Sequence, residues 1–441
     1  MSQAQSVNIR AMSRNRAEQV GYYRFLENPN VSVSELVRSA ADHCQQQVAG
    51  RHVLAISDSS EINLQAQIRH LEPEGLGVVG NNRDVGFFVH PTLVVDAGSG
   101  FPLGLSAIQL WHRDPKRPGK HQRHYPQLPI EAKESYKWLL SAKHSRDSLM
   151  AGDAVCVTHI GDRESDIYEE LVRVPDAHTH LLVRSCRDRR LHDGATMLYE
   201  TLSQQPVEGT YAVEVMAEPR REQKAREAWL AVRFTPVTLR RPQKVDAHDY
   251  PESVSLYAVE AKEVRPPAGV EPIHWRLLTT HPVNTVEQAL HVIQWYRWRW
   301  QIEQLFALLK RVGLDLESTR LASVKAIERL TILALMVALR LLQLKTGRAD
   351  ETLSASVAFS DQQQRCLRHL MPTLQGQTQK QQNPFSPGSL PWATWLIARL
   401  GGWSGYRSQS PPGIRTLSQG LKKFEAIFEG WSLAQDSFVC T

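Results

Sequence analysis

Hydrophobic and polar positions change rhythm along the chain, and the changes mark its organisation. Residues 1–21 are mostly polar, and no ordered element is expected where they begin. Ser32-x-x-Glu35 has the spacing of a capping box and predicts a helix through about Cys44. The pattern then shortens into apolar and β-branched runs. VLAISD (53–58), VGFFVHPTLVVD (85–96), LGLSAIQLW (103–111), AVCVTHIGD (154–162) and HLLVRS (180–185) read as strands, with helices expected over 130–149 and 166–174. Strands giving way to strand–helix alternation predict an α/β or α+β sheet layer. Four more strand-like runs, TYAVEVMA, WLAVRFTPVTL, VSLYAVEAKEV and HWRLLTT, fill 191–284 as a β-rich insertion. Thr285, with Gln288 three residues on, opens a long helical pattern to about Arg311 with Gly313 as its stop. Further helices run to about His369. A Pro- and Gln-rich stretch (371–391) reads as a linker, and a Trp-rich helical tail follows.

Composition narrows the class. A chain of 441 residues with 42% hydrophobic and 22% charged residues is neither disordered nor fibrous. No apolar run approaches the roughly 18 residues of a membrane span, and the N-terminus has no apolar signal core. Five scattered cysteines, none in a CxxC pair, point to a reducing cytoplasm and away from a disulfide framework or zinc ribbon. There is no GxxxxGK[ST], so a P-loop motor is not expected.

Three acids are candidates for chemistry. Asp58 ends the first core strand and Asp162 ends another, positions where α/β sheets display functional carboxylates. A turn or cap role is the plain alternative for each. Glu303 lies in a segment where Tyr296, Arg299, Glu303 and Lys310 are offset by 3, 7 and 14 residues. At about 100° per residue these fall within roughly 60°, so one helix presents all four along a narrow stripe. A solvated face with an Arg299–Glu303 pair is the alternative. Basic groups around one acid, with Trp298 and Trp300 beside them, suit phosphate contact and base stacking. Three carboxylates from separate elements raise one another's pKa values unless a cation is present, which suggests a divalent-metal site. His178-Thr179-His180 has too few partners for a metal site, and Ser135 and Ser165 have no His partner for nucleophilic catalysis.

Charge adds a track. The overall excess is only +6, yet 113–124, 184–190, 218–226 and 295–311 together hold +12, leaving −6 elsewhere. Three of the four lie beside the candidate acids, as a phosphate backbone would require.

Asp58 after a strand, DRExD at 162–166 and Y-x2-R-x3-E-x6-K at 296–310 together resemble the DDE transposases of insertion-sequence family four. So do YYRFLENPNVS (22–32), KESYKWL (133–139), EPIHWRLLTTHPV (271–283) and WLIARLGG (395–402). The resemblance implies an α/β fold: an RNase H-like mixed-sheet catalytic core with a β-strand insertion and an α-helical C-terminal region. It implies Asp58, Asp162 and Glu303 as catalytic ligands of two Mg²⁺ (or Mn²⁺) ions. It implies DNA contacts from Tyr296, Arg299, Lys310 and Arg184, a base-flipping role for Trp275, and stacking by Trp300. For Trp275 a core role is the alternative. The partners implied are transposon-end DNA and target DNA, with a homodimer in a synaptic complex, in a bacterial cytoplasm at the nucleoid and without a membrane. The expected division is an N-terminal helical remnant of a DNA-binding region (1–48), core (49–190), insertion (191–284), core again (285–370), linker (371–391) and dimerisation region (392–441). In that last region Trp392, Trp395, Trp403 and Trp431 serve either a partner or the local core. Relatives carry a longer basic helical segment ahead of YRF, whereas 21 residues precede Tyr22 here. A dimerising inhibitor of transposition without specific end binding is therefore the alternative expectation, and a carboxylate-based hydrolase a more distant one.

Overall fold

The computed structural model describes residues 7–72, 75–80, 82–116, 128–215, 225–311, 314–406 and 409–439, with side chains to 435. Gly313, Cys440, residues 117–124 of one basic segment and 218–224 of another lie outside them.

The polar start is ordered from Val7 onward. Helices α1 (Ile9–Met12) and α2 (Arg16–Glu27) begin at Asn8 and Asn15, whose side chains accept the amides of Ala11 and Glu18. Val7, Ile9 and Met12 turn inward, and the Val7 amide donates to Leu314 O at 3.2 Å. A few apolar side chains under many polar ones suffice because only one face is buried. Helix α3 (Val33–Gln45) follows the expected cap: Ser32 Oγ accepts from the Glu35 amide at 3.0 Å. The Glu35 carboxylate pairs with Arg38.

Eleven strands form one mixed sheet. They are β1 (His52–Ser57), β2 (Ser60–Asn63), β3 (Gly77–Val79), β4 (Asp84–Asp96), β5 (Pro102–Trp111), β6 (Cys156–Gly161), β7 (Thr179–Arg184), β8 (Gly209–Val215), β9 (Arg226–Arg240), β10 (Ser253–Glu263) and β11 (His274–Thr279). The order is β2-β4-β1-β6-β7-β11-β10-β9-β8, with β3 and β5 on β4. β1, β6 and β7 are mutually parallel, and the remaining pairs are antiparallel. Parallel neighbours need crossovers, and helices α4 (Tyr136–Ala151) and α5 (Tyr168–Arg173) lie in the two connections. The strands expected as an insertion continue the core sheet, because β11 pairs directly with β7. Helix α6 (Leu198–Gln204), not anticipated from the sequence, seals Leu198 and Leu202 against β9 and β10.

The long pattern after Thr285 resolves into α7 (Val286–Trp298) and α8 (Trp300–Lys310), meeting at Arg299. Arg299 keeps right-handed helical angles (φ −50°, ψ −32°), so the side-chain stripe passes through the junction. Helices α9 (Val324–Thr346), α10 (Asp361–Leu374), α11 (Leu390–Leu400) and α12 (Ile414–Val439) complete the chain. Trp392 and Trp395 are buried in the chain's own core, and Trp403 and Trp431 pack against it. No helix among the described residues is long and apolar enough to cross a membrane.

Candidate active site

The two aspartates are brought together by backbone pairing. The β1–β6 register ends at Ile56 opposite Ile160, and two more residues along each strand bring Asp58 level with Asp162. The loop after β1 is tied to β4. Ser57 Oγ shares a hydrogen bond with Thr92 Oγ1 (2.9 Å), and Ser59 Oγ one with buried His90 Nδ1 (2.9 Å). Asp58 Oδ1 accepts the Ser59 amide at 2.7 Å, and Asp162 Oδ1 accepts the Glu164 amide at 2.8 Å. The turn-capping role expected as an alternative is therefore also filled, and it fixes the direction of each carboxylate.

Glu303 reaches the same place from α8. Arg299 Nη1 donates to Asp58 Oδ2 at 3.0 Å, and Arg299 Nη2 bonds Glu303. One guanidinium thus bridges two of the three acids. The three carboxylates do not all approach within 4.8 Å of one another. Burial raises the Asp58 pKa from 3.8 to about 6; Asp162 and Glu303 add to the rise, while Arg299 and the Ser59 amide oppose it. Three carboxylates thus share one bridging guanidinium. A donor set of carboxylate oxygens fits a hard divalent cation. Two ions about 3.5–4 Å apart need a wider spread of ligands than one, so the open spacing is compatible.

Tyr296 and Arg299 behave as the stripe requires, but not as a solvated face. Tyr296 is only 6% exposed, and the Arg299 side chain 14%. Burial raises the Tyr296 pKa against the pull of Arg299 and Arg184. Arg184, closing β7, stands close enough to oppose the rise of the Tyr296 pKa and donates to His274 O at 3.1 Å. Trp275, on adjacent β11, is half-buried and meets Tyr296 edge-on at 6.2 Å between ring centroids. Trp300 is 60% exposed. Lys310 lies further along α8, where its Nζ donates to Glu61 O (2.9 Å) and pairs with Glu317 (3.1 Å). Of the sequence candidates, Asp58, Asp162, Glu303, Arg299, Tyr296, Arg184 and Trp275 converge, and Lys310 is engaged by Glu61 and Glu317.

Two residues of the 162–170 region were not anticipated. Asp166 is buried, and its carboxylate accepts Arg189 Nε (2.9 Å) and Nη2 (2.5 Å) and the amides of Cys186 (2.9 Å) and Arg187 (3.2 Å). It holds the basic 184–190 segment in place beside the acids. Glu170 is fully buried and accepts from Ser165 Oγ at 2.8 Å; burial lifts its pKa to about 8. It is therefore a neutral acid at pH 7, and Glu170→Gln is expected to match the wild type at pH 4 and to be more stable than it at pH 7, by about 1–3 kcal/mol. The folded pKa lies above the unfolded one, so the wild type loses stability as pH rises toward 8. The variant should lack that component of the slope in a pH series of urea melts.

Beside the site lies a cleft of about 890 Å³, lined by Ser59, Ser60 and Glu61 and by Arg113, Lys133, Lys137, Arg163, Arg187 and Lys244. A second cleft of about 1460 Å³ shares Lys133, Arg187 and Lys244 with it and adds Arg173, Arg190, Arg240 and Arg241. Together their linings carry eleven basic and nine acidic side chains, with Arg113, Lys137 and Arg173 paired to Glu134, Glu164 and Glu131.

Residues 173–340 match the family described as transposase DDE domain. The matched stretch includes Arg184, Trp275, Tyr296, Arg299, Glu303 and Lys310 and begins after Asp58 and Asp162. The match supports a DDE transposase family.

Proposed function

We propose that this chain is a cut-and-paste transposase of the insertion-sequence family four kind, with an RNase H-like core that nicks transposon ends, forms and opens a hairpin, and transfers the strand into target DNA. The observation that carries the reading is the convergence of Asp58, Asp162 and Glu303 from β1, β6 and α8 on a surface edged by Arg299, Tyr296, Arg184 and Trp275. Asp58, Asp162 and Glu303 would hold two Mg²⁺ or Mn²⁺ ions, which activate an attacking oxygen and stabilise the leaving one in displacement at phosphorus.

The chain's own residues do the rest. Arg184 and Arg299 supply guanidinium donors for the scissile phosphate, with the Arg299 guanidinium over the Tyr296 ring. Trp275 offers a half-buried ring at the edge of the site, placed to hold a base turned out of the helix. Exposed Trp300 offers a stacking face outside it. Arg and Lys side chains of the two clefts would carry the flanking backbone, so binding should weaken with salt. A homodimer in a synaptic complex, built on the C-terminal region, and a place in the bacterial cytoplasm at the nucleoid belong to the same reading.

The test is cleavage of DNA bearing the inverted repeats that flank the gene. Expected are specific retention of the repeat in a gel shift, nicking with Mg²⁺ or Mn²⁺, hairpin ends, and complete loss of cleavage in EDTA. No specific retention, with dimerisation kept, would favour the inhibitory form. Activity on sugars that survives EDTA would replace the reading with a hydrolase. Within it, Trp275→Ala is expected to retain nicking while hairpin formation falls about tenfold or more, since base stacking is worth about 1–3 kcal/mol. Unchanged hairpin yield on a denaturing gel removes Trp275 from that role.

A further inference from the structure

The ends of β1 and β6 opposite the acids carry a different set of donors. We propose that His52, Cys156 and His281 form a binding site for a borderline transition-metal ion of the Zn²⁺ type. The inference stands independently of the transposase reading.

The sheet places the donors. His52 is paired with Cys156 and Thr158 with His180, so alternation puts all four side chains on one face. The chain leaves β11 past Thr280, which holds the backbone of Leu181, and returns His281 over that face. Its ring stacks on His180 at 3.8 Å between centroids. One ligand atom from each of His52, Cys156 and His281 can be chosen so that all lie within 4.8 Å of one another. A tetrahedral centre with bonds of about 2.0–2.3 Å sets its donors about 3.3–3.8 Å apart, a closure that side-chain rotation supplies. Two imidazoles and a thiolate are the softer donors that select Zn²⁺ or Co²⁺ over Mg²⁺. The catalytic acids offer only oxygen, so the two ends of β1 and β6 differ in the ion they prefer.

The surroundings are those of an orienting shell. Buried Thr158 Oγ1 lies 2.8 Å from His52 Nε2 and 2.7 Å from His281 Nε2. A ring that ligates through Nδ1 keeps its proton on Nε2, so in the metal-bound site Thr158 Oγ1 accepts from both rings. The Trp295 ring lies 5.0 Å from both imidazoles and closes the apolar side. All three donors are only half-buried, which leaves an entry path. On binding, the Cys156 thiol gives its proton to solvent and its sulfur ligates as thiolate. The ion would join β1, β6 and the segment leading into α7. These are the elements that carry Asp58, Asp162 and Arg299 at their other ends.

Co²⁺ titration of the purified full-length chain tests this. Expected are one equivalent with a thiolate-to-cobalt charge-transfer band, displacement of that band by Zn²⁺, and a higher unfolding temperature with Zn²⁺. Cys156→Ser should abolish the band, His281→Gln should weaken Co²⁺ binding at least tenfold, and Cys186→Ser, removing an exposed thiol elsewhere, should change neither. Absence of a thiolate band in the wild type, or its survival in Cys156→Ser, overturns the proposal; the cluster is then a packing unit bonded around Thr158. If Cys156→Ser does not fold, His281→Gln decides: undiminished Co²⁺ affinity there refutes the site.

Discussion

Replacing Asp58 with Asn is expected to stop DNA cleavage and, at the same pH, make the metal-free protein harder to unfold. Both effects come from one carboxylate. Its pKa is raised from 3.8 to about 6, by burial first and by Asp162 and Glu303 after that. The folded chain therefore holds the Asp58 proton more tightly than the unfolded chain does. That contribution is whole below about pH 4, and it is lost as pH rises through 6. A shift of about two units corresponds to about 3 kcal/mol, and the side chain is 19% exposed, so screening leaves most of it. A neutral amide of the same shape should recover about 1–3 kcal/mol at pH 7.5 and nearly nothing at pH 4. Cleavage should fall about 10³-fold or more, since metal ions contribute several kcal/mol to such reactions. Urea melts in EDTA at the two pH values, beside a cleavage assay in Mg²⁺, give both readings. A variant that still cuts, or one less stable than wild type at pH 7.5, would show that Asp58 is not a charge held in place for a metal.

Asp166→Asn is expected to cost about 3–5 kcal/mol, the loss that follows when one partner of a buried ion pair is removed. The Asp166 and Arg189 side chains are 0% and 5% exposed, so water cannot replace the missing charge. The amide also weakens the hold on the Cys186 and Arg187 main chain, which should loosen Arg184 and Arg187 and lower DNA affinity. Replacing both partners, Asp166→Leu with Arg189→Met, should recover most of the stability because no charge is then stranded. DNA affinity should stay low, because the segment has lost its anchor. Chemical unfolding of the three variants, with a gel shift at fixed salt, separates these outcomes. An Asp166→Asn protein within about 1 kcal/mol of wild type would mean that the segment is held by something else.

What the sequence disclosed followed how local each signal is. The strands from VLAISD to HWRLLTT were legible because β-branched runs between turn residues need no distant partner to be recognised. That β11 joins β7 was not legible, since pairing is decided by backbone contacts some ninety residues apart in the chain. Helices α1 and α2 were hidden by polar composition, although Asn15 with Glu18 three residues on was a usable start signal. At the site, Asp58, Asp162 and Glu303 showed through because strand ends and helical spacing point to them. Lys310 satisfied the same angular rule yet found Glu61 and Glu317, since angle along a helix says nothing about which neighbour stands at each level. The role of Asp166 depends on Arg189, and the His52–Cys156–His281 cluster joins three distant segments, so neither leaves a spacing that can be read.

The alignment of Asp58 with Asp162 through the β1–β6 register works as a ruler marked in main-chain hydrogen bonds. The last paired residues, Ile56 and Ile160, stand one interstrand step apart, about 4.8 Å, and each acid follows two residues further on. Point substitutions can tilt a carboxylate or fill the space beside it, but they cannot lengthen the ruler. A slip of β1 by one residue would turn its alternate side chains to the other face of the sheet, so the register is held in whole steps. The helices and loops around the site are thus free to diverge in sequence, while the register behind the two acids stays digital: correct, or absent.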